Sequence, residues 1–508
     1  MRKILLFTCY LLFSYSGNSQ EINLQIEKKL WQEDFKYLKQ RVEKIAPMYQ
    51  YEAVKKNFNS VYNDLLTLDF NGYEAMFSIQ KLMNTLNDEG CNVPLFQKGL
   101  ELQVLPIKTY WFSNGLYVLD ASNNYKEIID KQVIRINNTP IEKVFEKLKI
   151  FLNADSLHYK KHLFQVYGFM PSILKTVGLG INDNEVKLEF ASGKTTLIKS
   201  ESINEYVKLN RKLPNDEFFS YTNKNYKGKN YWLDFIPNTK TLFVQLQAVV
   251  NNKEEYSFSN FIDKIEENIT SNKTDKIIID VRYGGGGNGF KLKRLTDLLR
   301  VSKAINKEGH LFVLTSKATR GALLELVSIL NLNTKAILVG EPTAEGVNTV
   351  GDIKYITLPN SGLKVSITHT LWATSWKQDS NKTLLPHLKV NYSFTDKKAN
   401  IDPWIKATEA YSIEAKKKPI PKELRKQLEG KYKVEKRKLR IRETDGKLYL
   451  KMSRRIRSFF EISTELYYQS EGILSTDIEN VFLKYSKNSS GKIKIETIKW
   501  NNLNLKVE

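Results

Sequence analysis

Cysteine is almost absent. The 508-residue chain has Cys9 and Cys91 and no others. Cys9 lies inside an N-terminal apolar run, so once that segment is removed a single thiol remains. An intramolecular disulfide is then excluded, and stability must come from packing. Histidine is also scarce, at 5 residues scattered from His158 to His387. No metal site and no cofactor is expected. Long hydrophobic runs are missing as well. The longest, Ile4 to Phe13, is about ten residues against the roughly 20 that a membrane span needs. With no repeat and no low-complexity tract beyond one lysine-rich linker, solenoids and fibrous arrays are excluded.

The same apolar run follows Arg2 and Lys3 and precedes the small and polar residues Ser14 to Gln20, the pattern of a secretory signal peptide. Gly17 and Ser19 form a small-x-small site, placing cleavage near Ser19, and Cys9 lacks the small residues that precede a lipidated cysteine. A secreted or periplasmic location is expected, with no transmembrane segment after signal removal.

Acidic residues fall short of basic ones, 56 against 78, for a formal net charge of +22. Most of the lysine is dispersed and accompanies abundant asparagine. The concentrated stretch is 415–457, which includes Lys416, Lys417, Lys418, Arg440, Arg442 and Arg455. A basic stretch of this kind can meet an anionic envelope polymer; no specific nucleic acid is expected.

Residues 1–19 read as the signal peptide and 20–95 as a helical cap, with apolar residues at helical spacing such as Leu30, Phe35, Leu38 and Val42. Residues 96–225 alternate short apolar runs with turn signals around a helix beginning at Ile141, a compact α+β module. From 226 to 414, buried-looking strands at Thr241–Leu246, Lys276–Val281, Leu311–Thr315 and Ala336–Val339 alternate with helical patterns. That order predicts parallel β-α-β units. After Lys418-Pro-Ile-Pro-Lys the remainder of 415–508 reads as a linker and a small all-β domain, with strands such as Lys438–Arg442, Lys447–Met452, Phe459–Ile462, Val481–Tyr485 and Lys492–Ile498.

The sharpest local feature is Ile277-Ile-Ile-Asp280-Val-Arg282-Tyr-Gly284-Gly285-Gly286-Gly287. A buried strand that ends in glycines lets backbone N–H groups approach a ligand closely, because no Cβ intervenes. No Gly-Lys-Ser/Thr follows, which argues against a phosphate loop. Asp-Val-Arg-x-x-x-Gly-Gly resembles the Asp-Leu-Arg-x-Asn-x-Gly-Gly of the tail-specific, or C-terminal processing, serine proteases and their tricorn-core relatives. The resemblance continues through Thr319-Arg320-Gly321-Ala322, Val339-Gly340-Glu341-Pro342-Thr343, Leu358-Pro-Asn-Ser-Gly362, Leu385-Pro386-His387 and Asp402-Pro403. It implies a crotonase-like α/β core. Residues from about 102 to 197 resemble the family's PDZ-like module. The tail, with Leu428-Glu-Gly430-Lys-Tyr432, resembles a small lipocalin-like β-domain.

The chemistry implied by the family is acyl transfer by an activated serine, with backbone N–H groups holding the oxyanion. Where its turn reads Thr-x-Ser-Ala, this chain places Gly321 at the nucleophile. The lysine that some members carry about 25 residues further on falls on Gly346, and the histidine of others, in Asp/Glu-Gly-His-Thr, falls on Cys91. The implied oxyanion and peptide-binding elements are Gly286, Gly287 and Ala322, although Gly284 replaces the family asparagine. Three readings follow: a non-catalytic protein that binds polypeptide or peptide ligands, an active serine-type peptidase with a displaced nucleophile, and an envelope polyanion-binding protein led by the basic tail. Enzyme status stays open between them.

Overall fold

The computed structural model describes residues 21–508 except 70–71, 181–183, 210–228, 237, 252–256, 272, 377–378, 414–416, 435–436 and 457. The signal-peptide segment, the 225/226 boundary and Lys416 therefore lie outside the described residues. The chain divides into two compact units: residues 1–220, 344–373 and 391–402 in the first, and 221–343, 374–390 and 403–508 in the second.

Unit 1 opens with helices α1 (Lys28–Ile45), α2 (Glu52–Thr67) and α3 (Gly72–Asn84). On α1, Trp31, Phe35, Leu38 and Val42 form one buried stripe, the spacing that turns a helix into a one-sided wedge. They share a core with the antiparallel sheet β1 (Ile107–Phe112), β2 (Gly115–Ala121), β3 (Gln132–Ile136), β4 (Glu185–Phe190) and β5 (Thr195–Lys199), arranged in that order. Residues of β4 alternate between half-buried and buried, as expected for a sheet packed on one face. Helix α4 (Ile141–Leu148) follows β3 across a tight Asn137-Asn138 turn in which both residues have positive φ.

The Leu-Pro-Asn-Ser-Gly element is the tip of a hairpin between Asn348–Thr357 and Lys364–Ala373. Buried Asp34 on α1 holds this tip. Its carboxylate accepts from Asn360 N–H and Ser361 N–H, each at 2.9 Å, and from Ser361 Oγ at 2.6 Å. A polar residue on the inner face of α1 is thus consumed in anchoring a turn more than 300 positions away in sequence.

Unit 2 is built on a six-stranded sheet, β6 (Tyr231–Phe235), β7 (Thr241–Leu246), β8 (Lys276–Asp280), β9 (Leu311–Thr315), β10 (Ile337–Gly340) and β11 (Leu388–Lys389), in sequential order. All neighbours are parallel except β6 and β7. Helices α5 (Phe258–Thr270), α6 (Leu292–Val301) and α7 (Gly321–Asn333) form the crossovers. The sheet is mainly parallel, as the strand-helix alternation predicts. Its central strands read as unbroken apolar runs because both faces are covered.

The tail of the same unit is an eight-stranded antiparallel sheet: β12 (Gly430–Val434), β13 (Arg437–Thr444), β14 (Lys447–Ile456), β15 (Ser458–Ser470), β16 (Ile473–Thr476), β17 (Val481–Lys487), β18 (Ile493–Trp500) and β19 (Leu503–Lys506). A bridge between Val434 and Val507 nearly closes it into a barrel. The sequence marked five of these strands. It missed β12, β16 and β19, which are four or five residues long, too short for alternation to stand out. The barrel core joins Trp376 and Leu332 to Leu439, Ile441, Leu450 and Trp500.

Candidate functional site

Two turns of unit 2 follow the carboxyl ends of adjacent parallel strands, β8 and β9. That edge is where open α/β sheets place their ligands. The turn after β8 is pinned by a buried ion pair. Arg282 donates to Asp280 through Nε at 3.0 Å and Nη2 at 2.8 Å, and its backbone N–H adds a third bond at 3.0 Å. The guanidinium also lies 4.8 Å from the ring centroid of Trp404, on helix α8 (Pro403–Ala410). Trp404 Nε1 in turn donates to Thr315 O at 2.9 Å, at the end of β9. The Asp-x-Arg of the motif thus locks the strand ends and offers nothing to a ligand.

The glycines beyond it have distinct duties. A Cβ on Gly284 would lie 2.0 Å from Leu323 Cδ1 and 2.8 and 2.9 Å from the carbonyl oxygens of Leu246 and Gln247. No side chain fits, which accounts physically for glycine where the resemblance leads one to expect asparagine. Gly287, with φ +117, bridges to Val249, and a Cβ there would meet that residue's backbone at 2.5 Å. Gly286 is different: it is exposed, and a Cβ would have nothing within 4 Å. Among the described residues neither Gly286 N–H nor Gly287 N–H has a backbone acceptor.

The turn after β9 leads into α7 at Gly321, whose φ of +55 lies in the left-handed region. A Cβ at Gly321 would sit 3.3 Å from Gly285 O and 3.5 Å from Gly286 Cα. A side chain at this position would therefore point onto the Gly285–Gly286 peptide. Sharp, strained strand-to-helix turns of this kind display a nucleophile in hydrolases, and here the position carries no side chain. The Ala322 N–H belongs to the first turn of α7, where N–H groups lack intrahelical acceptors. Its neighbour Leu323 N–H is used by Gly285 O at 3.4 Å.

The other hydroxyls of the turn are already committed. Ser316 Oγ donates to Arg282 O, and Thr319 Oγ1 donates to Val281 O at 3.0 Å. Ser316 Oγ and Thr319 Oγ1 also accept from Ala318 N–H and Ser316 N–H, at 3.1 and 3.0 Å. Both residues are buried. They staple the β9 turn to the end of β8 and present no free hydroxyl. Lys317 between them, passed over in the sequence, is buried with its ammonium 3.7 Å from Glu341.

Cys91 and Gly346 belong to unit 1. Gly346 is buried just before the hairpin. Cys91 is fully buried, with Sγ 3.5 Å from Asp88 Oδ2 and 3.3 Å from Thr368 Oγ1, while Thr368 N–H donates to Sγ at 3.4 Å. Burial and the neighbouring Asp88 carboxylate push the thiol well above its ordinary pKa. It is held as a neutral thiol, and the thiolate is the reactive form. Burial likewise raises Asp88 to about 6, against the pull of bonds from Thr368, Gly90 N–H and Cys91. Asp88 and Thr368 are the residues sequence reading missed; only the Asp-x-x-Cys spacing hinted at the first.

Among the described residues, no cluster of histidine, cysteine and carboxylates could hold a metal ion, and no helix is long and apolar enough to cross a membrane.

No protein-family model matches the sequence, and no curated protein matches it significantly. Solved structures do. Mature CPAF complexed with lactacystin superposes with a TM-score of 0.51 at 13% identity, covering 75% of this chain and 97% of that one. The chain has the tail-specific protease fold. At that identity the likeness is one of fold. The photosystem II D1 C-terminal processing protease (TM-score 0.34, 12% identity, 72% of this chain and 93% of that one) and the tricorn protease (0.37, 12%, 75% and 36%) also match, with lower scores. Within the tail-specific protease fold, the glycine turn after β8 and the Gly321 turn after β9 form the candidate site of unit 2.

Proposed function

We propose that this protein is a secreted pseudoprotease that binds polypeptide and does not cleave it. The observation that carries the reading is Gly321. Its Cβ direction faces the Gly285–Gly286 peptide, at the head of a strand-turn-helix, with no oxygen or sulfur to attack a carbonyl. Committed hydroxyls at Ser316 and Thr319 support the reading, as does the buried, protonated thiol of Cys91. Gly286 N–H and Ala322 N–H are backbone donors suited to a peptide carbonyl or carboxylate, which needs preorganised N–H groups and no nucleophile. The PDZ-like resemblance of unit 1 adds a second surface for an extended peptide.

The test uses the purified mature chain with unfolded casein, a fluorophosphonate probe and a fluorescently labelled unstructured peptide. Saturable peptide binding without cleavage or labelling is expected. Gly286→Val fills open space beside the donors and should weaken that binding while leaving the fold intact. Cleavage or labelling by the wild type overturns the proposal, and its loss in Ser316→Ala, Thr319→Ala or Cys91→Ala would identify a relocated nucleophile. Peptide binding indifferent to Gly286→Val would remove the site from this turn.

A further inference from the structure

The outer face of the barrel carries an ordered array of cations. On β13, Leu439 and Ile441 point into the barrel while Lys438, Arg440 and Arg442 are exposed. The neighbouring strands repeat the pattern, with Lys431 and Lys433 exposed on β12 and Lys451 half-buried on β14. Register aligns them in rows: Lys431 opposite Arg440 opposite Lys451, and Lys433 opposite Lys438. Rows of this kind are spaced about 4.8 Å across strands and about 6.8 Å along them.

Like charges directly opposite one another destabilise a sheet, and this arrangement has no internal relief. None of Lys431, Lys433, Lys438, Arg440, Arg442 and Lys451 forms an ion pair among the described residues. Of the nearby acids, Glu443 pairs with Arg425 and Glu465 with Lys447, while exposed Glu461, opposite Ser453, lies at the margin of the array diagonal to Lys451. Glu508 pairs through its backbone with Lys433 at the rim. The charge is therefore a field directed outward, which concentrates anions at the surface.

The rest of the face narrows the partner. Among the residues from 430 to 508 whose burial is described no large apolar side chain is exposed, whereas a surface that enters lipid presents such groups beside its cations. Half-buried Tyr449, opposite Arg442, is the aromatic in the array, whereas binding of single-stranded nucleic acid relies on successive stacking platforms. What remains is recognition by charge alone on a ribbed, polar sheet face.

We propose that this face binds a linear anionic polysaccharide, gripped through its sulfate or carboxylate groups by the Lys431–Arg440–Lys451 row and the flanking cations. Arg440 and Arg442 supply planar forks that can engage two oxygens at once. The proposal is independent of the peptide-binding reading, since it uses a different part of the chain.

The experiment measures binding of the full mature chain to a heparin oligosaccharide at low and physiological salt. A poly-dT oligonucleotide and phosphatidylglycerol vesicles serve as comparison probes. Two variants lose the same net charge: Lys431→Gln/Arg440→Gln/Lys451→Gln on the array, and Lys484→Gln/Lys494→Gln/Lys499→Gln, exposed lysines on β17 and β18. Heparin affinity should fall on the order of 100-fold in the first, about fivefold for each cation withdrawn from an anionic surface. In the second it should stay near wild type. Arg440→Lys, which keeps the charge, reports on binding if the array triple melts at a lower temperature, and should retain most of it. Equal losses in both triples would reduce the effect to net charge and overturn the proposal. So would an absence of heparin binding at low salt, or DNA or vesicle binding of equal strength and equal sensitivity.

Discussion

Replacing Asp88 by asparagine tests whether the buried cluster of unit 1 is titrated by its surroundings. Burial holds the Asp88 carboxyl at about 6, above its ordinary 3.8. A carboxyl raised in the folded state binds its proton more tightly there than in the unfolded chain. The stability it contributes is therefore complete below pH 3.8 and is lost as pH rises through 6. The full shift is worth about 3 kcal/mol at about 1.36 kcal/mol per unit. Between pH 4.5 and 7.5 the linkage relation leaves about 2 kcal/mol of it. Asparagine keeps an acceptor for Gly90 N–H, now at 2.9 Å from Asp88 Oδ1, and does not titrate. Urea unfolding of wild type and Asp88→Asn at the two pH values, followed by hydrogen exchange at Gly90, Cys91 and Thr368, reads the difference directly. Wild type should gain about 2 kcal/mol relative to the variant on acidification. If the two unfolding free energies stay parallel across that range, desolvation does not control Asp88 and the reasoning fails.

Unit 2 should respond to acid in the opposite sense. His387 is half-buried, its Nδ1 accepts from Leu338 N–H at 3.1 Å, and desolvation of the ring pulls its pKa down to about 4. Its stabilising contribution is present above pH 6.5 and lost as pH falls through 4, about 2.6 kcal/mol by pH 4.5; exchange at Leu338 should accelerate accordingly, and His387→Gln should abolish the dependence. Arg282→Met leaves Asp280 charged and unpaired in the core, which costs about 3–5 kcal/mol and should appear as a lowered urea midpoint. Gly284→Ala drives a Cβ into Leu323 and two backbone carbonyls, an overpacking cost of about 1–3 kcal/mol in thermal melts, with Leu323→Ala as a partial suppressor. Gly321→Ser should fold with a penalty of about 1–2 kcal/mol for its left-handed backbone; on the proposed pseudoprotease reading it shows no casein turnover, because one restored hydroxyl brings no base with it.

Much of the core was legible because buried parallel strands write themselves as apolar runs. Lys276–Asp280 and Leu311–Thr315 stood out for that reason, and Gly321 at the head of α7 followed from the order of motifs. The barrel was legible only in part. Short interior strands such as Ile473–Thr476 carry too few residues for alternation to register, and they exist because neighbours on both sides complete their hydrogen bonding. Asp34 was invisible as an anchor, since a lone acid on a helix reads as solvated until the hairpin it holds is folded against it. The cationic array was visible as composition but not as an array, because strand register alone sets Arg440 between Lys431 and Lys451.

By itself the sequence determined what chemistry is available: two cysteines in the whole chain, no hydroxyl or base at Gly321 and Gly346, a glycine turn after an apolar strand, and an excess of cations toward the end. Side-chain identity is local information, and no folding can add an oxygen to glycine. Only the tertiary structure decided what the remaining groups are doing. Ser316 and Thr319 are spent on the backbone of the adjacent strand end, Cys91 is sealed with Asp88 and Thr368, Gly284 is glycine because Leu323 fills its space, and Gly286 is open. Those assignments depend on groups distant in sequence competing for the same hydrogen bonds and the same volume, and that competition exists only once the chain is folded.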